Sequence, residues 1–411
     1  MVSDARRRLQ GAYAALPRAT PDRLPVPQEA VVGIVGTDIP EEPIRAAGLH
    51  PLRVVGDPGA ATPNADLFVE RAVDPLARSI FERLLDGAYG WLSHLVLCHD
   101  SDATVRLYYY LRELRRLEPD RRLPELAFVD ILHQPARTSA VYTRQRLAGF
   151  VETLEGWSGR SIDDEAVRAE IVASNERRRL QRELAELRAE DPARLTGRDA
   201  LAAIGAASMM TAQEYLACLR GLIDELADPE RADGPTGGVT TRGGTEPVRV
   251  FLTGSAHDGV GWYEAVEAAG AIIVGEDHAN GNAVAIGSID EQADPLTALT
   301  SFYQHRTVGS ARTSITRRAE GTATGAVAAR ADGVLSLLRR QDPAPHWDVA
   351  AQRARLEEAG LPMEAIVMDG YRDEPDPAEQ EDLAASVARL AQGAGRRSGG
   401  RAANDNTEVA R

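Results

Sequence analysis

Cysteine is scarce in this chain: only Cys98 and Cys218 occur in 411 residues. Two thiols make no disulfide framework, and no CxxC or adjacent Cys/His zinc-finger pattern accompanies them. A reducing, cytoplasmic setting is therefore expected. Long apolar runs are lacking too. Nowhere do 18 apolar residues follow one another, so no membrane span is expected. The opening MVSDARRRLQGAYAALP carries Arg6 to Arg8 but no apolar core long enough for secretion. Positive charge is in deficit, with 47 Lys and Arg against 62 Asp and Glu, a formal charge of −15. That balance argues against an electrostatic grip on nucleic acid or anionic lipid. It leaves room for an anion held locally by amides at helix N-termini. No GxxxxGK[ST], no GxGxxG spacing and no GxSxG elbow is present, so a P-loop ATPase, a dinucleotide loop and a serine hydrolase have no support.

What is present is a globular composition, 43% apolar and 27% charged. The length exceeds one ordinary core. Apolar strand patterns recur at 31–36, 51–56, 94–98 and 126–131, with helical patterns such as LARSIFERLLDGAYGWL and DATVRLYYYLRELRRL between them. A second set follows at 248–254, 271–275, 333–338 and 363–369. Strands alternating with helices imply parallel sheets covered on both faces. The expected fold is α/β: two doubly wound parallel-sheet domains joined by a helical segment. The expected boundaries are an N-terminal helix at 1–24, a first α/β domain at 25–137 and a helical connecting region at 138–228. A Gly/Pro/Thr-rich linker at 229–247, a second α/β domain at 248–392 and a disordered tail at 393–411 complete the chain. Within the helical region Ser161 reads as an N-cap with Asp164 three residues on. Val167, Ile171, Leu180, Leu184 and Leu187 share one face, and Arg177 to Arg179 read as a solvated face.

The two strand-rich halves echo each other. VVGIVGTDIPEEPIRAAGLHPLRVVGD and VRVFLTGSAHDGVGWYEAVEAAGAIIVGED each run from an apolar strand ending Gly-Thr or Gly-Ser, through an acidic loop and a helix ending Ala-Ala-Gly, to a strand ending Val-Gly. Gly48 and Gly270 suit a helix-stopping C′ position. Gly36 and Gly254 suit a tight strand exit, and both crossovers are expected to be right-handed. Ligands of open parallel sheets bind beyond the strands' carboxyl ends. Thr37, Asp38 and Glu42 fall there in one half. Ser255, Asp258, Asp277 and His278 fall there in the other, and Cys98, His99 and Asp100 also sit at a strand's carboxyl end. If the halves face each other, these groups line one cleft. The plainer alternative is that loops simply favour Gly, Thr and Asp.

GTDIPEEPIRAAGLHPLRVVG, LDGAYGWLSHLVLCHDSD, LHQPARTSAVYTRQRLAGFVETLEGWSGRSI with IVASNERRRLQREL, VRVFLTGSAHDGVGWYEAVEAAGAIIVGED and RRQDPAPHWDVAAQRARLEEAGLPMEAIVMDGY appear in this order from about 30 to 390. Together they resemble the cluster-bearing subunits of 2-hydroxyacyl-CoA dehydratases and the related benzoyl-CoA reductases. The resemblance implies two α/β domains, a [4Fe-4S] cluster on three cysteines, a homologous second subunit and an ATP-hydrolysing activator. It also implies an acyl-CoA substrate reduced to a ketyl radical.

The chain departs from that pattern at two ligand positions. Cys98 matches the middle cysteine, but Asp74 stands at the first and Gln341, before Asp342-Pro343, at the third. One thiolate with an aspartate is a poor cage for iron and sulfide. A cluster-poor subunit of a hetero-oligomer follows as the leading expectation. A mixed-ligand metal site on Cys98, Asp74, His99 and His278, or a non-catalytic acyl-CoA-binding or scaffold protein, are the alternatives. Cys218, in the apolar helix EYLACLRGL, reads as a buried structural thiol. The scattered His50, His133, His305 and His346 read as surface or satisfied structural residues. Glu42 complements a helix dipole, and by the resemblance it lies near the substrate pocket and serves in proton transfer. Thr37, Asp38, Ser255 and Asp277 are the candidate substrate-binding residues.

Overall fold

The computed structural model describes residues 3–228, 246–306 and 312–408, with side chains to 393. Most of the expected linker, 229–245, lies outside the described residues. Two compact units divide the chain: Met1–Arg182 with Ala202–Leu222 and Val284–Ser314, and Glu183–Leu201 with Ile223–Ala283 and Ile315–Arg411.

In chain order the first unit opens with α1 (Asp4–Ala15), whose first turn is capped by Ser3. Then come β1 (Val31–Val35), α2 (Glu41–Ala46), β2 (His50–Arg53), α3 (Pro75–Leu85), β3 (His94–Cys98), α4 (Asp102–Leu117), β4 (Glu125–Val129) and α5 (Arg137–Ser158). Helices α6 (Asp164–Arg188), α7 (Gly197–Gly205) and α8 (Ala212–Ala227) follow. The second sheet begins with β5 (Val248–Gly254), α9 (Gly261–Ala268) and β6 (Ala271–Glu276). It continues past α10 (Pro295–His305) with α11 (Ile315–Ala328), β7 (Gly333–Arg339), α12 (Pro343–Glu358), β8 (Met363–Met368) and α13 (Pro377–Glu408). The expected tail from 393 falls at the end of α13 and, from 409, outside the described residues.

Both sheets are four-stranded and parallel, in the orders β2-β1-β3-β4 and β6-β5-β7-β8. The fold is thus α/β with two parallel-sheet units, as the alternation of patterns implies. Strand order reverses beside β1 and beside β5, which makes β1/β3 and β5/β7 the switch points of the two sheets. All five residues of β1 are buried, the mark of a strand covered on both faces. Gly36 and Gly254 have φ of +101° and +108°. A Cβ on Gly36 would stand 2.4 Å from Cys98 Sγ, and one on Gly254 would stand 2.3 Å from the Leu337 carbonyl oxygen. Each glycine lets the first strand of its sheet turn closely over the end of its neighbour.

Three local expectations change. The cap of α6 is Asp163, whose carboxylate accepts the Ala166 N–H at 2.8 Å; Ser161 instead donates to Glu155. Arg177 to Arg179 are not one solvated face. Arg179 is exposed beside Glu176, but Arg177 and Arg178 turn inward to Glu41 and Glu42. Residues 284–314, expected in the second domain, belong to the first unit. The reason is apolar complementarity: Ile289, Ala298, Leu299 and Tyr303 share one core with Leu147, Phe150 and Leu154 of α5 and Ile171 of α6. On α6, Val167, Ile171, Leu180 and Leu184 are buried as the spacing implies, while Leu187 is half-buried. Among the described residues no helix is long and apolar enough to cross a membrane.

Candidate functional site

At the carboxyl ends of β1, β3 and β4 the first unit gathers titratable side chains. The Asp100 carboxylate accepts the Thr37 N–H at 2.9 Å, tying the two loops of the switch point together. Asp100 is therefore more than a helix-start residue; α4 is capped by Ser101. Arg306 donates to the Thr37 carbonyl at 3.2 Å. Asp38 is buried and accepts from His133 Nε2 at 2.7 Å, so His133 is an interior histidine bound to a candidate residue. Cys98 is fully buried and donates to the Val35 carbonyl at 3.8 Å. Burial pushes its thiol pKa well up, and the Asp100 and Asp38 carboxylates push it further. Burial, then Asp38, also raises Asp100 above the ordinary carboxylate range. His99 Nδ1 contacts Asp130 at 2.8 Å and its Nε2 faces Arg312. Arg312 can only donate, so Nε2 accepts and the proton sits on Nδ1. No sequence signal links Asp38 to His133, 95 positions away.

Glu42 lies in the first turn of α2 with no exposure. Arg178 Nη2 meets its Oε1 at 2.9 Å, and the Tyr303 hydroxyl donates to Oε2 at 3.1 Å. Burial alone would raise this carboxyl, but attraction from Arg178 and then Arg177 wins and holds it below its usual range. Neighbouring Glu41 is held at about 2: Arg177 and Arg45 overcome its burial. In this arrangement Glu42 is an ionised anchor between α2, α6 and α10.

The second unit gives its strand ends different partners. Ser255 is buried; its N–H donates to the Leu337 carbonyl at 2.8 Å and its Oγ accepts the Arg339 N–H at 3.0 Å. Asp277 accepts from Thr322 Oγ1 at 2.6 Å, and Gln352 donates to both Thr322 and Thr253. Burial pushes Asp277 up to about 6, against the hydrogen bonds of Thr322 and Thr253. His278 Nδ1 accepts the Asn280 N–H, so its proton is on Nε2, which donates to the Tyr263 oxygen at 2.6 Å. Burial lowers this imidazole to about 4. Asp258 accepts from Asn280 Nδ2 at 2.7 Å.

The residues at the three implied ligand positions do not fit a [4Fe-4S] cluster. Cys98 is sealed among carboxylates that disfavour a thiolate. Asp74 is the N-cap of α3, its Oδ1 accepting from Leu76 and Ala77 at 2.9 and 3.1 Å. Gln341 is an exposed neutral amide. Cys218 is buried on α8, as a structural thiol. Among the described residues no three His, Cys, Asp or Glu side chains are grouped to hold a metal ion. Cys98, Asp74 and His99 of the first unit accordingly form no such group among the described residues. His50, His305 and His346 each contact a main-chain carbonyl, at 2.8, 2.8 and 3.0 Å.

Comparison with known proteins places this geometry in a lineage. The (R)-phenyllactyl-CoA dehydratase beta subunit of Clostridium sporogenes is 21% identical over 348 residues, covering 83% of this chain and 87% of that protein. A benzoyl-CoA reductase subunit of Thauera aromatica is 22% identical over 294 residues, covering 69% and 70%. The family described as 2-hydroxyglutaryl-CoA dehydratase, D-component, matches residues 37–383, from the first candidate binding residue to the last helix. The chain belongs to the 2-hydroxyglutaryl-CoA dehydratase D-component family.

Proposed function

We propose that this chain is the cluster-poor member of a cytoplasmic, hetero-oligomeric 2-hydroxyacyl-CoA dehydratase-like (benzoyl-CoA reductase-like) system. It binds an acyl-CoA thioester, while a homologous second subunit holds the [4Fe-4S] cluster and an ATP-dependent activator supplies the electron. Thr37 and Asp38, and Ser255 and Asp277, mark the strand-end loops offered to the substrate. Glu42 takes part in proton transfer only if Arg178 moves off its carboxylate. The observation that carries this reading is a family frame matched from 37 to 383 in which only one of the three implied ligand positions holds a thiol, the sealed Cys98. If the assembly is active, its reaction is that of a lyase.

Iron and acid-labile sulfide are measured on the chain purified anaerobically, alone and after co-expression with any homologue encoded beside it. The expected result is no stoichiometric cluster alone and a reducible cluster in the complex. A stoichiometric, reducible cluster on the isolated chain refutes the cluster-poor assignment. Acyl-CoA thioesters are screened in parallel by thermal shift, and stabilisation by none removes the acyl-CoA reading.

A further inference from the structure

Arg178 and Arg188 are buried and meet buried carboxylates, whereas buried Arg249 is held mainly by main-chain carbonyls. Arg178 faces Glu42, Arg188 faces Glu276 and Arg318 faces Asp348, at 2.9, 2.7 and 2.6 Å. Arg339, the last residue of β7, differs from both kinds. It is 6% exposed, yet among the described residues no carboxylate lies within 4.0 Å of its guanidinium. Its Nη2 donates to the Ala256 carbonyl at 3.2 Å, and the guanidinium lies over the Tyr371 ring at 4.4 Å. Its Nε is buried without a hydrogen-bond partner. His257, on the loop after β5, is 2% exposed, and its Nε2 is also buried and unpartnered. The two belong to one electrostatic neighbourhood: after burial, the Arg339 charge is the main influence keeping the His257 imidazole neutral. Asp258 is occupied by Asn280, and Asp373 feels Arg339 only from beyond ion-pair distance.

A buried guanidinium without a counter-charge is costly to the fold, and so is a buried donor without an acceptor. Both deficits occur together at β5/β7, the switch point where ligands of such sheets bind. The same loop runs into α9, whose first amide, the Gly261 N–H, is met by the Asp373 carboxylate. We propose that Arg339 and His257 form an oxyanion site in the second unit that takes a phosphate-class group. A guanidinium fork matches phosphate oxygens, and a neutral imidazole N–H adds one donor. This inference stands apart from the acyl-CoA reading, because inorganic phosphate, nucleotides and coenzyme A all carry the group.

The full chain is titrated with inorganic phosphate against chloride at matched ionic strength, by calorimetry and thermal shift. Wild type shows saturable binding and a rise in Tm. Arg339→Gln weakens binding about tenfold or more, and His257→Phe weakens it too. Arg340→Gln, which removes an exposed arginine paired with Asp369, binds as wild type. No saturable phosphate binding, or equal binding by Arg339→Gln, overturns the site. If Arg339→Gln does not fold, Arg339→Lys decides: it keeps the charge without the fork, and unchanged affinity overturns the site. Coenzyme A is titrated alongside. Coenzyme binding lost together with phosphate binding in Arg339→Gln supports the site and extends it to that ligand. Coenzyme binding without any phosphate response overturns the site and leaves the acyl-CoA reading intact.

Discussion

The contact between Glu42 and Arg178 offers a direct measure of what holds the first unit together. Glu42 is fully buried and the Arg178 side chain is 4% exposed. Arg178 also donates to Ser174 Oγ at 2.8 Å and lies over the Phe302 ring at 4.5 Å. Arg178→Met keeps most of the stem but removes the charge, leaving Glu42 with the Tyr303 hydroxyl and the more distant Arg177. Breaking a buried pair from one side costs about 3–5 kcal/mol. The loss has a ceiling, because Glu42 can take up a proton instead. Protonating a carboxyl of ordinary pKa at pH 7 costs about 4 kcal/mol. The two arguments converge on roughly 3–4 kcal/mol, which for a unit of this size lowers Tm by roughly 6–16 °C.

Thermal melts by circular dichroism check this at pH 7 and pH 5. The folded pKa of Glu42 is lowered, so in wild type the pair's contribution is present above the unfolded value. It is lost only as pH falls through the lower folded value. In Arg178→Met the carboxyl is protonated more readily, so the gap between the two proteins narrows on going to pH 5. The double variant Glu42→Leu/Arg178→Met removes both charges and regains most of the stability. A melt of Arg178→Met within about 2 °C of wild type at pH 7, or a loss that does not shrink at pH 5, refutes the reasoning.

Two further outcomes are expected beyond the metal analysis and the phosphate titration. Gly36→Ala meets both a φ of +101° and a Cβ position 2.4 Å from Cys98 Sγ. It should destabilise the first unit by about 1–3 kcal/mol, read as a lower midpoint in denaturant; an unchanged midpoint disproves the close approach of β1 to β3. Asp277 has a folded pKa of about 6, above its unfolded value, so its contribution to stability is full at low pH and falls as pH rises to about 6. Asp277→Asn should remove that slope and gain up to about 3 kcal/mol at pH 7 relative to pH 4. A variant that keeps the wild-type pH dependence shows that another group is responsible.

The strands are legible in the sequence because each is a short apolar run bounded by glycine or acid, and a strand buried on both faces needs little else. The glycines are legible for the same local reason. The partners of charged side chains are not. Arg177 and Arg178 pair with acids 136 positions away, and a run of arginines on a helix looks alike whether it faces water or a carboxylate. The sorting of 284–314 into the first unit depends on which core its apolar face complements, and periodicity reports a face without naming its partner. Asp74 carries two signals at once. Its place in the family pattern points to a ligand, while Asp-Pro at a helix start points to the cap of α3 that the structure shows.

That last residue bears on how the fold holds at a position where the family resemblance implies a ligand. Asp74 is the residue just before α3, facing amides that need an acceptor. An aspartate there satisfies two of them, so the backbone that would present a thiol is held by the substituted side chain itself. Gly36 has no such freedom, because the Cys98 thiol and the Asp100 carboxylate fill the space where its Cβ would go. Positions fixed by packing, such as Gly36, tolerate little change, whereas a helix-start position such as Asp74 tolerates any good capping residue. The burial of Cys98 against the loop at Gly36 gives the fold a reason to keep a small apolar side chain there whether or not iron is bound. The presence of this one cysteine is therefore weak support for a cluster.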